Sequence, residues 1–78
     1  MINLGGGGPT WRRVLAHLRA RIAAGEFPDL LPSERTLTEE YGVSKGTVRK
    51  ALAQLRMEGL IQTDKGWGSY VVEQSDER

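Results

Sequence analysis

Ser44-Lys45-Gly46-Thr47-Val48-Arg49-Lys50-Ala51-Leu52-Ala53-Gln54-Leu55-Arg56 is the stretch on which the reading of this chain turns. It carries four cationic side chains, Lys45, Arg49, Lys50 and Arg56, and no anionic one, in a protein whose formal net charge is only +1. Val48, Leu52 and Leu55 recur at steps of four and three, which puts them on one face of a helix. Lys45, Gly46, Arg49, Lys50 and Gln54 fall largely on the other. The spacing predicts a helix capped by Ser44, held down by one side and offering cationic donors from the opposite side.

Just upstream, Ser33 is placed to cap a second helix, Glu34 to Tyr41, with Glu34 near its positive end and Gly42 as a left-handed stop. Leu37 and Tyr41, one turn apart, face inward, and Val43 is a buried turn residue. Two helices joined by a tight glycine-containing turn, the second one basic, form the pattern of a helix-turn-helix. Before them, Pro28 and Pro32 keep the run Glu26 to Pro32 from being helical and predict a turn and a short extended piece. A first helix starts with Thr10 as N-cap, carries Val14, Leu15, Leu18 and Ile22 as its apolar stripe, and ends near Gly25. Arg12, Arg13, Arg19 and Arg21 lie mostly off that stripe and read as a solvated face, a secondary phosphate contact being the other reading. Trp11 reads as a core residue.

Downstream, Glu58-Gly59 closes the basic helix. Leu60 to Thr63 and Ser69 to Glu73 read as strands around the turn cluster Asp64 to Gly68, which makes a hairpin with Lys65 at its tip. Packed beside a helix-turn-helix, such a hairpin is a wing. The expected organisation is a flexible glycine-rich arm over residues 1–9, a winged helix-turn-helix over 10–73 and a polar tail over 74–78. The fold class is α+β, mainly helical, with three helices and a C-terminal two-stranded β wing.

Composition narrows the function classes. A chain of 78 residues makes one small domain, burying only about 60% of the surface its unfolded form exposes. With no cysteine, neither a disulfide framework nor a thiolate metal site is available. No apolar run approaches the roughly 20 residues of a membrane span, and no leader pattern precedes the first helix, so a cytoplasmic location without membrane contact is expected. His17, the single histidine, stands without a ligand cluster and reads as a surface or boundary residue. Ser33 and Ser44 have no histidine base in pattern, so they read as caps and not as nucleophiles. No enzymatic activity, cofactor or metal is expected. Gln54 and Arg56, late in the basic helix, are expected to meet solvent or phosphate.

The run Leu31-Pro32-Ser33-Glu34-Arg35, then Gly42-Val43-Ser44, Thr47-Val48-Arg49, Ala51-Leu52, Leu55 and Glu58-Gly59-Leu60, followed by Gly66-Trp67-Gly68 and Ser69-Tyr70-Val71-Val72, resembles the amino-terminal winged helix-turn-helix domain of the GntR family of bacterial transcription regulators. The resemblance covers about Pro9 to Val72. It implies that Arg35, Lys45 and Arg49 contact bases in the major groove of double-stranded DNA. It implies that Ser44 and Thr47 hold phosphates, in keeping with the free amides at a helix amino terminus. Ser33, Gly46 and Lys50 complete the expected phosphate-facing set. The wing residues Lys65, Gly66, Trp67 and Gly68 are expected at the adjacent minor groove, an ordinary exposed hairpin tip being the other reading for Lys65 and Trp67. The chain departs from the family pattern at Lys45, where arginine is common, at Gly46, where a side-chain donor is common, and at Lys50, often glutamate. It departs again at Trp67, where Arg or Lys is common, and in the loop Phe27 to Pro32, shorter than usual, which implies a truncated strand before the second helix.

Such regulators usually continue into a domain that binds an effector and dimerises; this chain holds no such effector domain, and its Met1 and short charged tail favour a complete small protein over an excised one. The leading function is sequence-specific binding of an operator as a transcriptional regulator, a repressor in the first instance, with a homodimer forming on DNA. The alternative is a winged-helix protein-interaction module, favoured by Trp67 and the near-neutral net charge.

Overall fold

A computed structural model describes residues 8–72. Three helices, α1 (Thr10–Ala23), α2 (Glu34–Tyr41) and α3 (Lys45–Met57), precede two strands, β1 (Ile61–Asp64) and β2 (Gly68–Val71). The expected arm lies outside the described residues up to residue 7, and Glu73 and the polar tail lie outside them as well.

Each helix begins and ends for a local reason. Ser33 and Ser44 are both extended N-caps whose hydroxyls accept from the amides of Thr36 and Thr47, each at 3.1 Å, satisfying a donor that a helix start leaves orphaned. α1 differs from expectation: Pro9 is its N-cap and Thr10 its first helical residue. The Pro9 carbonyl accepts from Arg12 and Arg13, so the backbone is already committed one residue earlier, and the Thr10 hydroxyl accepts from Arg13 Nη2 instead. α2 stops at Gly42, which at φ 65° and ψ 38° adopts the left-handed conformation that glycine takes without penalty. α3 ends in a Schellman arrangement, with Leu60 N–H bonded to the Leu55 carbonyl and Gly59 N–H to that of Arg56.

The core lies where the three helices meet the inner face of the wing. Val14, Leu15 and Leu18 of α1, Leu37 and Tyr41 of α2, Val48, Ala51, Leu52 and Leu55 of α3, and Ile61 of β1 are buried. Phe27 and Leu31 of the connecting loop join them, so the proline-interrupted piece carries core as well as a turn. Ile22, Trp11 and Val43 are only partly buried at its margin. Burying one such aliphatic side chain contributes roughly 1.5–3 kcal/mol, so few positions in so small a core are dispensable.

The strands pair antiparallel in the register Ile61 with Val71, Gln62 with Tyr70, Thr63 with Ser69 and Asp64 with Gly68. The strand expected before α2 is reduced to one bridge, Leu30 opposite Tyr70, with Leu31 N–H donating to the Ser69 carbonyl at 2.8 Å. That bridge anchors the wing to the entry of α2. Arg56 Nη1 donates to Thr63 Oγ1 at 3.1 Å, tying the late part of α3 to the wing.

Candidate nucleic-acid interface

α3 is held through its Val48, Leu52 and Leu55 face, which leaves Lys45, Gly46, Arg49 and Lys50 exposed. At its start the cap hydroxyl of Ser44 meets both the amide and the hydroxyl of Thr47, the latter at 3.0 Å. The first helical amides, at Lys45 and Gly46, are left directed outward at the positive end of the helix dipole. A Cβ built on Gly46 would meet only Ser44 Oγ, at 3.9 Å. Packing does not require glycine there, and its effect is to bare the backbone to an approaching group.

An open groove of about 550 Å³ runs from the start of α2 across the start of α3 to the wing. Ser33 and Arg35 line it from α2, Lys45 from α3, and Lys65 and Gly68 from the wing. Thus five residues singled out from three separate stretches of sequence share one surface. Glu34 and Asp64 line it too, so the groove carries three cations against two carboxylates and is not uniformly positive. Arg49 lies one turn further along α3, and Lys50 points away toward α1, its Nζ 4.9 Å from the Trp11 ring centroid. Trp67 stands at the wing tip, 68% exposed. Below it the Gly66 amide donates to Asp64 Oδ1 and the Trp67 amide to the Asp64 carbonyl, each at 3.1 Å, which closes the turn. Gly68 has φ 117°, a conformation side chains rarely adopt.

Two carboxylates that the sequence reading gave no role here engage the arginines. Arg49 Nε donates to Glu34 Oε1 at 3.0 Å, and Arg35 Nε lies 3.6 Å from Glu39 Oε2. The Arg35 and Glu39 spacing of four is legible in a helix; the link from Glu34 to Arg49 needs the turn geometry first.

Behind this surface α1 clamps the other helices. Arg21 is not a solvated arginine: its side chain is 14% exposed and reaches Glu26, Glu40 and the Tyr41 hydroxyl. Burial works to lower its pKa, but the hydrogen bonds to Glu26, Tyr41 and Glu40 outweigh it and raise it. Burial raises the pKa of Tyr41. His17 Nδ1 shares a 2.7 Å hydrogen bond with the Tyr41 hydroxyl, so the single histidine is a structural link between α1 and α2. Arg19 forms a two-pronged pair with Glu58 at the far end of α3.

Among the described residues no group of three or more His, Cys, Asp or Glu side chains is placed to hold a metal ion. No described helix is long and apolar enough to cross a membrane.

A helix-turn-helix whose second helix is exposed and cationic, flanked by a two-stranded wing, defines the winged helix-turn-helix class. The family model for bacterial regulatory proteins of the gntR family matches residues 10–71, and the chain belongs to that family. It is 41% identical over 68 residues to the mannosyl-D-glycerate transport/metabolism system repressor MngR of Escherichia coli, covering 85% of this chain and 28% of that protein. It is 43% identical over 65 residues to the HTH-type transcriptional repressor NagR of Bacillus subtilis, covering 81% of this chain and 27% of that one. The chain therefore spans little more than a quarter of these relatives' length. Among solved structures, the DNA-binding domain of AraR in complex with operator ORR3 is 29% identical with a TM-score of 0.78, over 92% of each chain.

Proposed function

We propose that this chain binds double-stranded DNA sequence-specifically as the reading head of a bacterial transcriptional regulator, a repressor in the first instance, acting in the cytoplasm. The observation that carries this reading is the convergence of Ser33, Arg35, Lys45, Lys65 and Gly68 on one groove at the amino terminus of α3. Family membership and the likeness to a DNA-binding domain seen on its operator support it. In this reading α3 enters the major groove, with Arg35, Lys45 and Arg49 at base edges. Ser33, Ser44, Gly46, Thr47 and Lys50 meet phosphates on either side. The wing residues Lys65, Gly66, Trp67 and Gly68 lie at the adjacent minor groove.

A single domain of this size covers one half-site, so two copies on a pseudo-palindromic operator complete the proposal. The test is selection from a random duplex library, then titration of the selected duplex at several salt concentrations. A sequence preference, an affinity falling steeply with salt, and loss of discrimination in Arg49→Ala are expected. Each good bidentate arginine contact to guanine is worth roughly 1–3 kcal/mol of discrimination. Equal affinity for every duplex, unaltered by Arg49→Ala, would hand the surface to a protein partner instead.

A further inference from the structure

We infer that Glu34 is a positioning residue for DNA reading, fixing Arg49 so that the far edge of its guanidinium is presented to a base; this rests on the DNA-binding reading above. An arginine side chain has several rotatable bonds, and at 64% exposure Arg49 has little packing to choose among its rotamers. Glu34 supplies the choice. As the first residue of α2 its place is set by the Ser33 cap, and its Oε1 accepts a hydrogen bond from Arg49 Nε at 3.0 Å across the helix-turn-helix.

The geometry of that bond decides its consequence. The guanidinium has five N–H donors in a planar fork. Glu34 engages it at Nε, the stem side, and no other described contact accepts a hydrogen bond from its two terminal nitrogens. Those terminal nitrogens are the pair that can meet guanine O6 and N7 end-on. Arg35 is arranged alike, with Nε 3.6 Å from Glu39 Oε2, whereas Lys45 has no carboxylate neighbour among the described ion pairs. A carboxylate at a phosphate-binding surface repels the duplex as a whole. Glu34 therefore favours discrimination over general affinity, and its removal lowers discrimination while leaving general affinity equal or higher. A role as a simple mask over Arg49 would move them together.

The experiment takes the duplex selected from a random library by the wild-type chain. It measures wild type, Glu34→Gln, Arg49→Ala and the double variant on that duplex and on a mixed-sequence duplex of equal length. Glu34→Gln is expected to bind the mixed duplex as tightly as wild type or a few-fold more tightly, as the loss of one nearby negative charge requires. Its preference for the selected duplex is expected to fall about five- to tenfold, in the lower part of the range of coupling between residues in contact. In the Arg49→Ala background, Glu34→Gln is expected to cost no further preference. Retained binding to the mixed duplex reports that the variant is folded. Undiminished preference in Glu34→Gln, or a rise on both duplexes in equal proportion, would overturn the positioning role while leaving DNA reading intact. A wild-type chain that selects no sequence would overturn both.

Discussion

Lys50 Nζ sits 4.9 Å from the centroid of the Trp11 ring, and Arg12 shares that ring from its other neighbour, with its Cζ at 5.5 Å. Two cations on one indole, at the junction of α1 and α3, form a second positive point, and none of the three residues lines the groove. Lys50 is thereby turned from the groove that Lys45 faces, which fits a backbone contact better than a base contact. An exposed cation–π contact is worth only about 0.5–1 kcal/mol. Lys50→Ala should therefore leave stability nearly unchanged. On DNA it should weaken binding to selected and mixed duplexes in the same proportion, lowering the salt slope by about one. A change in sequence preference would instead make Lys50 a base reader.

Gly42 controls how α2 meets α3. Its φ of 65° costs a residue with a Cβ about 1–2 kcal/mol, whereas asparagine tolerates the conformation better. Gly42→Ala should lower the urea midpoint with an unchanged slope, and Gly42→Asn should lower it less. Equal midpoints for glycine and alanine would show that the turn does not constrain the fold.

The Arg19 and Glu58 pair gives a pH signature. The hydrogen bond from Arg19, helped by one from Gln54, holds the Glu58 carboxyl below its ordinary value of 4.5. A carboxyl whose pKa is depressed by folding adds stability above the unfolded value and loses it as pH falls through the folded one. The melting-temperature gap between wild type and Glu58→Gln should be widest above pH 4.5 and close as the solution is acidified below it. Because the pair is exposed, that gap should be small and should shrink with added salt. A gap independent of pH would remove Glu58 from the account.

The fold was legible where local chemistry acts alone. Ser33 and Ser44 cap, Gly42 stops a helix, and Val48, Leu52 and Leu55 face inward because these roles follow from backbone geometry and a period of 3.6. Of the groove set, turn and hairpin chemistry marked only Ser33 as a cap and Lys65 as a hairpin tip; Arg35, Lys45 and Gly68 were singled out as DNA contacts through the family resemblance, and the fold places all five on one groove. Arg21 was misread as solvated, and the partners of His17 at the core's boundary and of Glu34 at the start of α2 were passed over, for one reason: each acts through a partner distant in sequence. A helix face marked by arginines looks solvated until α2 is docked on it and brings Tyr41 and Glu40 within reach of Arg21. Pro9 took the cap from Thr10 because a carbonyl can begin a helix without a side-chain bond, a choice no pattern of hydroxyls reveals.

The Tyr41 hydroxyl is where α1 and α2 are locked together, accepting from Arg21 Nη1 at 3.1 Å and meeting His17 Nδ1 at 2.7 Å. Tyr41 is only 2% exposed, so its ring is core and its hydroxyl is a buried polar group that must be satisfied. Tyr41→Phe keeps the ring and removes the oxygen. Arg21 retains Glu26 and Glu40, but His17 loses its partner across the interface. The expected cost is about 1 kcal/mol, a fall of roughly 4–8 °C in melting temperature for a domain of this length. His17→Ala should cost a comparable amount. The double variant should cost less than the two together, because the second substitution removes a bond already broken. Strictly additive losses would show that the two residues stabilise the domain separately and that the short contact between them contributes nothing.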